Sequence, residues 1–370
     1  MRVWIDHTGF QAAGASLSEE NPSDGLMQFA TLLAFSDRVE LNRSESPAIR
    51  AGSVEVREEL SRIGVSNGVL GFRQTADGDY KEACLRAAAY CQDKIGEAFA
   101  PVSDPLASQF PASMTSGDVS RQLNWITDVL FADGPAVIDE ARAWASEAKS
   151  DGAVVLMMVT NDRLRSAVAA AVAAYGLNAV VLRQIENFLR FHLNQELGRT
   201  AGATYAPSVG RARVVRANAQ AVALRVGELL NGFAERTQNR SLGIPSVHQY
   251  LLNQSGGRPQ GVIETALQVR DRTADLRARL AIRLDATDVA ARSTVEREIR
   301  ELSEELEAHL GLRTAPSPWD AVDFSIVVAL PPLTLAVSGR KLAEWWSYRK
   351  AEARNAVLTE ISRGGTETAG

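Results

Sequence analysis

An unbroken apolar run near the middle of the chain, Val154 to Val159, constrains the fold more than any other segment. The run contains several β-branched residues and lies between Asp-Gly and Thr-Asn-Asp, which is typical of a strand buried on both faces. An alanine-rich stretch follows, and Ala179 to Leu182 is a second short apolar run. This order predicts a strand, a helix and a strand in a parallel sheet. Ligands of parallel sheets bind beyond the carboxyl ends of the strands, so Thr160, Asn161 and Asp162 mark a predicted substrate-binding site.

Composition indicates a folded protein of more than one domain. The chain has 370 residues, of which 45% are hydrophobic and 23% charged, and two domains are the usual arrangement at that length. The net charge of −5 gives no overall positive field that would attract nucleic acid, although a local basic face stays open. Cys84 and Cys91 are too far apart along one helix face for a disulfide, which favours buried thiols in a reducing compartment.

Membrane and export signals are weak in this sequence. The first ten residues, MRVWIDHTGF, contain no apolar stretch or cleavage site of a secretion signal. Phe324 to Val337 is apolar, but it is shorter than the roughly 20 residues of a spanning helix and Pro331-Pro332 interrupts it. We therefore expect a β-hairpin there, no transmembrane segment, and a cytoplasmic protein.

The pattern of predicted elements changes near Gln184. Before it, strands at Arg2–Ile5 and Arg38–Leu41 alternate with helices. The helices predicted there cover 26–36, 54–63, 81–99, 119–131 and 136–149. After it, helices dominate, at 186–197, 218–236, 246–253, 260–269, about 273–310 and 341–361, with 202–209 as a connector. We predict an α/β domain over 1–185 with a mostly parallel Rossmann-like sheet, a mainly helical domain over 186–363 with one small hairpin, and a disordered tail over 364–370.

Acidic residues at the predicted strand ends suggest a metal site. Asp6 follows the first strand, Glu58 and Glu59 lie on a predicted helix, and Asp162 follows the central apolar run. Carboxylates gathered at one end of a sheet bind Mg²⁺ or Mn²⁺, and such a metal activates water for phosphoryl transfer. The sequence thus predicts a catalytic group of Asp6, Glu58 or Glu59, and Asp162, with Asp6 and Asp162 as metal ligands. The alternative is that these acids cap strand and helix ends or face solvent.

These motifs resemble the PIN-like nuclease superfamily. The matching segments are WID in the first strand, LMQFATLLAFSDRVEL, the VREEL helix, and VTND followed by a helix and Gly176-Leu177. The resemblance covers about the first 185 residues, and it implies a Rossmann-like sheet with metal-dependent ribonuclease chemistry. The long separation of Glu59 from Asp162 departs from the pattern of that superfamily. A degenerate domain, which keeps the fold of the superfamily but binds no metal, is an intermediate possibility between an active nuclease and an unrelated α/β domain.

A second set of motifs lies in the C-terminal half. Tyr205-x-Pro-Ser-x-x-Arg211 is followed by Ala-Leu-x-x-Arg270, an order similar to that in uncharacterised bacterial proteins, which implies a shared helical domain of unknown activity. Arg277 and Arg279 are predicted to bind RNA phosphates or an acidic protein partner. Alternatively, aspartates on the same helices neutralise these arginines.

The function predicted first is a degenerate PIN-like domain joined to a helical protein-interaction domain. An active ribonuclease that uses Mg²⁺ or Mn²⁺ is the alternative. A peripheral membrane protein, suggested by the hairpin and by Trp345-Trp346, is the third interpretation. The predicted partner is a protein, RNA is a second candidate, and self-association into a homo-oligomer is left open.

Overall fold

A small parallel sheet lies at the centre of the protein. The computed structural model describes residues 2–43, 47–98, 124, 126–131, 152–177, 179–208, 211, 247–272 and 274. Within these ranges four strands form one sheet in the order β3-β2-β1-β4. The strands are β1 (Arg2–Ile5), β2 (Arg38–Asn42), β3 (Leu70–Arg73) and β4 (Thr204–Ala206). All three pairings are parallel, which confirms an α/β architecture.

Helices connect and cover the strands. On one side of the sheet lie α1 (His7–Ser16), α2 (Asp24–Phe35) and α3 (Pro47–Arg62), and on the other lies α4 (Asp77–Ala98). The later helices are α5 (Ala153–Thr160), α6 (Asp162–Tyr175), α7 (Ala179–Thr200), α8 (Val247–Ser255) and α9 (Pro259–Arg272). Helices α5, α6 and α7 pack with α4, whereas α8 and α9 pack with α2.

Strand β1 divides two hydrophobic cores. Successive side chains of a strand point to opposite faces, so Val3 and Ile5 face one side and Trp4 faces the other. Val3 and Ile5 belong to the core built with α1, α2, α8 and α9, and Trp4 to the core built with α4 to α7. The indole nitrogen of Trp4 donates to Asn194 Oδ1 on α7 at 3.3 Å. Burial on both faces explains why β1 is apolar without alternation.

Several predicted elements are confirmed. The strands at β1 and β2 lie where the sequence predicts them, and α2, α3, α4, α8 and α9 each overlap a predicted helix. The predicted helix over 186–197 lies inside the longer α7. Helix α1 is not among the predicted helices, because its glycine-containing sequence gives only a weak helical pattern.

Both strands of the predicted strand–helix–strand unit over 151–184 are wrong, whereas its helix is confirmed. Its first apolar run forms helix α5, its middle forms α6, and Ala179 to Leu182 begins α7. All residues from Ala153 to Val159 are buried, and a helix that is buried on every side is apolar on every side. A short continuous apolar run therefore does not distinguish a buried strand from a buried helix.

Two strands of the sheet come from segments without a strand pattern. β3 lies in a turn-rich stretch, and its Gly71 adjoins the Arg38 guanidinium, which a Cβ at that position would approach to 2.6 Å. β4 lies in the segment predicted as a connector, beyond residue 185, and has only 3 residues. The predicted hairpin over 324–337, the terminal helix and the tail lie outside the described residues. Within the described ranges, no helix is both long and apolar enough to span a bilayer.

Candidate functional site

The side of the sheet on which new strands are added reverses between β1 and β4. From β1 the chain adds β2 and then β3 on one side, and it later returns to place β4 on the other side of β1. In parallel sheets, ligands bind beyond the carboxyl ends of the strands at such a reversal. Asp6 follows β1 and Ser208 follows β4, so both lie at this edge of the sheet. This edge is the candidate functional site.

Asp6 is the centre of a buried hydrogen-bond network at this edge. Its side chain is 3% exposed. Oδ1 accepts from the Gly9 amide at 2.8 Å, which caps the start of α1. Oδ2 accepts from the Tyr205 hydroxyl at 2.7 Å and from the Ser208 amide at 3.3 Å. Arg211 Nη1 lies 2.7 Å from the same oxygen. Both carboxylate oxygens therefore already have strong partners.

The network fixes the charges of its three titratable groups. Burial alone would raise the pKa of Asp6, but the Arg211 charge and the hydrogen bonds from Tyr205, Gly9 and Ser208 hold that pKa below its usual value. Burial and the neighbouring Asp6 charge raise the pKa of the Tyr205 hydroxyl well above its usual value. Burial opposes the charge of Arg211, but Asp6 and Tyr205 outweigh it and raise the guanidinium pKa. At neutral pH the site thus holds a carboxylate, a guanidinium and a neutral phenol.

Arg211 also contacts the first turn of α1. Its Nη2 donates to Thr8 Oγ1 at 3.0 Å. The side chain is 6% exposed, and within the described residues its Nε has no hydrogen-bond partner. The carbonyl of Pro207, just before this segment, accepts a 2.6 Å hydrogen bond from Gln28 on α2. The segment after β4 is therefore held against both α1 and α2.

His7 lies beside this network as a neutral imidazole. Its Nδ1 is 3.2 Å from Ser53 Oγ on α3, and Nε2 makes no hydrogen bond to another described residue. Burial lowers the pKa of His7 to about 4; the Arg211 and Arg190 charges act in the same direction, and Asp6 and the Asn42 backbone oppose it. His7 is thus uncharged at neutral pH.

The other predicted catalytic acids lie in different surroundings. Glu59 pairs with Arg62 on its own helix, α3, and Glu58 is exposed on the same helix. Asp162 begins α6, where its side chain is 81% exposed and lies 3.0 Å from Arg165. Within the described residues, no three His, Cys, Asp or Glu side chains are placed to hold a metal ion together. The structure therefore does not bring Asp6, Glu58, Glu59 and Asp162 together as a metal site.

A divalent cation does not fit the residues at the sheet edge. Mg²⁺ and Mn²⁺ need several oxygen ligands with uncompensated negative charge. Asp6 offers oxygens that already accept from a hydroxyl and two amides, and one of these oxygens is ion-paired with a guanidinium. No mechanistic step through a metal follows from this arrangement.

Thr160 and Asn161, which the sequence predicts as substrate-binding residues, form hydrogen bonds at helix ends. The Thr160 hydroxyl donates to the Leu156 carbonyl at 2.6 Å within α5. The Asn161 side chain caps α6 by accepting from the Leu164 amide at 2.9 Å, and it donates to Gln92 on α4 at 3.0 Å. These contacts give Thr160 and Asn161 structural roles. Arg277 and Arg279 lie outside the described residues.

The contacts of Asp6 with Tyr205, Ser208 and Arg211 could not be predicted from the sequence. Tyr205, Ser208 and Arg211 form the Tyr-x-Pro-Ser-x-x-Arg motif, so the sequence identifies them as a group. However, Asp6 and Tyr205 are 199 positions apart, and only the pairing of β4 with β1 brings them together. The three-residue β4 carries no pattern from which that pairing could be predicted.

Comparison of this chain with protein-family models, curated proteins and solved structures gives no match.

Proposed function

We propose that this protein is a non-catalytic, degenerate PIN-like protein of the cytoplasm, whose helical segments contact a protein partner. The observation that carries the proposal is the saturation of Asp6. A carboxylate that ligates a metal or acts as a general base needs an oxygen directed at the metal or the reacting proton. In this protein Arg211, Tyr205 and two backbone amides occupy those positions.

The surroundings of the other acids support the same proposal. Asp162 and Glu59 each pair with an arginine one turn along the same helix, at spacing i,i+3. Such pairs are common on solvated helix faces and stabilise a helix by only about 0.2–0.5 kcal/mol. They favour the interpretation of these acids as surface residues. An active nuclease is therefore the second candidate, and the first experiment discriminates between the two.

The nuclease test uses labelled single-stranded RNA with the purified full chain and Mn²⁺. We expect no cleavage above the buffer level, and no difference between wild type and Asp162→Asn. Asp271→Asn, which changes an exposed acid on α9, is the matched control. Metal-dependent cleavage that is lost in Asp162→Asn and kept in Asp271→Asn would contradict the proposal.

The outer face of α3 supports the proposed protein contact. Val54 is 49% exposed there. It lines a shallow depression of about 510 Å³ together with Arg57, Glu58, Ser61 and Arg62. Arginine is enriched at protein interfaces, and Arg57 and Arg62 lie beside Val54 in this depression. Glu58 would then be an interface residue.

Light scattering on the full chain tests the simplest partner, a second copy of the chain. We expect a concentration-dependent rise in mass for wild type that Val54→Glu reduces. Leu85→Glu, at another exposed apolar position on α4, is the control. A strictly constant monomer mass would rule out self-association. The membrane interpretation concerns 324–337 and 345–346, which lie outside the described residues.

A further inference from the structure

Five arginine side chains gather around the C-terminal end of α7 and the neighbouring strands. Each belongs to a different element, namely Arg2 of β1, Arg38 of β2, Arg73 of β3, Arg86 of α4 and Arg199 of α7. Arg86 is half-buried and the other four are exposed, so this set, the arginine cluster, is open to solvent. Because its members come from five elements, only the fold brings these charges together.

Three of these side chains bind the end of α7 directly. Arg73 Nη1 donates to the Ala201 carbonyl at 2.9 Å. Arg86 Nε lies 3.1 Å from Glu196 Oε2, and Arg199 Nη2 donates to the same oxygen at 2.8 Å. A helix C-terminus carries about half a negative charge, and the Glu196 carboxylate adds a full one. Three guanidinium groups therefore share less negative charge than they need for neutrality.

Two glycines leave room for the other two arginines. A Cβ at Gly202, which has a positive φ of 64°, would lie 2.9 Å from Arg2 Nη2. A Cβ at Gly71 would lie 2.6 Å from Arg38 Nη2. Arg2 and Arg38 are partners in the β1–β2 pairing, and neighbouring strands are only about 4.8 Å apart, so two like charges start close together. Such an arrangement is unfavourable without nearby negative charge.

The arginine cluster has an excess of positive charge. The carboxylates that form ion pairs with its members are Glu40, Glu82 and Glu196. Within the described ranges, Arg2 and Arg73 pair with no carboxylate. Five guanidinium groups less three carboxylates leave two positive charges, and the half charge at the end of α7 does not cancel them. An anionic partner would supply the missing negative charge.

The glutamates among the arginines favour a protein over a nucleic acid as that partner. A nucleic-acid backbone carries a negative charge at every phosphate, which these three carboxylates would repel. A protein segment can place its carboxylates against the arginines and neutral or basic side chains against the glutamates. Trp4 and Tyr205, the aromatic residues on this face of the sheet, are buried and cannot stack on bases. The net charge of −5 also disfavours a long polyanion.

We propose that the arginine cluster binds an acidic segment of a protein partner, through the fork of N–H donors that each guanidinium presents to a carboxylate. The inference rests on the proposed function, in which the partner is a protein, and it names the chemistry that this partner presents. The cluster lies at the end of α7, on the side of the sheet that Trp4 faces. It is therefore distinct from the depression around Val54 on α3.

Fluorescence anisotropy of a labelled poly-glutamate peptide, titrated with the full chain at low salt, tests the proposal. We expect saturable binding that weakens as the salt concentration rises. Arg2→Gln/Arg73→Gln should weaken it roughly five- to thirtyfold, since each exposed ion pair contributes modestly. Arg258→Gln/Arg272→Gln is the matched control. It removes the same number of exposed charges at the ends of α9, on the other side of the sheet, and should bind the peptide as wild type does.

Arg2→Gln alone keeps the test decisive if the double variant does not fold, because it leaves the hydrogen bond from Arg73 to Ala201 intact. It should weaken binding about two- to fivefold. No saturable binding of the peptide by wild type would overturn the proposal, as would equal affinity of wild type and Arg2→Gln or an equal loss in the control.

A second arm replaces the peptide by a labelled single-stranded oligo-thymidylate. Tighter binding of the oligonucleotide than of the peptide, lost in the same arginine variants, would overturn the proposal in favour of nucleic acid. The nuclease test stays separate from both arms. Metal-dependent RNA cleavage would overturn the proposed function, whereas a failure to bind the peptide without such cleavage would overturn only the acidic-segment inference.

Discussion

Replacement of Asp6 by asparagine tests whether the buried ion pair stabilises the protein. Asparagine keeps the shape of the side chain and caps helices as well as aspartate does, but its amide nitrogen replaces one carboxylate oxygen, so the change removes the charge together with the acceptor of the Tyr205 and Ser208 hydrogen bonds. Among the described residues Arg211 would then be a buried cation without a counter-ion, because its ion pair there is with Asp6 Oδ2, at 2.7 Å. Loss of one partner of a buried pair typically costs about 3–5 kcal/mol. Since whole domains are stable by only about 5–15 kcal/mol, Asp6→Asn should lose a large share of its stability.

Urea denaturation followed by circular dichroism measures this loss at pH 7. The double variant Asp6→Asn/Arg211→Met removes both charges and should be more stable than the sum of the single changes predicts, by about 1–3 kcal/mol. If the free energy of unfolding of Asp6→Asn lies within about 1 kcal/mol of the wild-type value, the buried ion pair does not stabilise the protein as argued.

The pH dependence gives a further readout of the same pair. The folded-state pKa of Asp6 is lower than the usual value of an aspartate, so the ionised carboxylate favours the folded state. Its contribution is fully present above the unfolded pKa of about 3.9 and is lost as the pH falls through the lower folded value. The stability difference between wild type and Asp6→Asn should therefore be constant from about pH 5 to 8 and shrink below about pH 4. A difference that does not change with pH would show that the carboxylate charge is not its cause.

Three other changes test the packing of the fold. Gly14→Ala would place a Cβ 2.1 Å from Val56 Cγ2, between α1 and α3, and should cost about 1–3 kcal/mol in urea denaturation. Val56→Ala in the same chain should restore part of that loss, and no restoration would argue against the clash. Arg270→Met removes the donors to the Leu33, Ser36 and Asp37 carbonyls at the end of α2. It should lower the free energy of unfolding by about 2–3 kcal/mol, and a loss of less than about 0.5 kcal/mol would show that these hydrogen bonds do not stabilise the protein. Burial lowers the pKa of His192 to about 3, so its neutral form favours the folded state, and stability is lost as the pH falls below about 6.5. Between pH 6.5 and 5 this loss should be about 1.5 kcal/mol and absent from His192→Phe, and an equal slope in that variant would exclude His192 as the cause.

The parts of the fold that follow from local pattern could be predicted from the sequence. The sequence of strand β2 alternates polar and apolar residues, and Ser23 caps α2 where the apolar pattern begins. Both signals lie within a few residues, so they need no knowledge of the rest of the chain. The α/β class also follows, because strands and helices alternate in the first hundred residues.

The middle of the chain could not be assigned in the same way. Residues 153–159 are buried on every side, and burial on every side removes the periodicity that distinguishes a helix from a strand. The error extends to Asp162, because a strand before it predicts that this residue lies at a sheet end. In the structure Asp162 begins helix α6 and its side chain is exposed.

Sequence patterns identify the separate parts of the candidate site. Asp6 is recognisable as a strand-end carboxylate because it follows a clear strand, and the Tyr205–Arg211 segment is recognisable as a motif by its composition. The motif contacts Asp6 only because β4 pairs in parallel with β1, and these two strands are far apart in the sequence. Loop-closure entropy makes such long-range pairings unfavourable until many contacts form together, so no short segment encodes them.

The two arginine motifs of the C-terminal half act on the N-terminal elements. Arg211 binds the carboxylate at the end of β1, and Arg270 on α9 donates to the carbonyls at the end of α2. In each case a guanidinium meets carboxylate or carbonyl oxygens at the end of an N-terminal element, and its charge strengthens these contacts. The sheet is thus completed by β4, and α2 is covered by α9, both from segments more than two hundred positions along the chain. Asp6, which the sequence predicts as a catalytic residue, and the arginines of these two motifs therefore join distant parts of one fold.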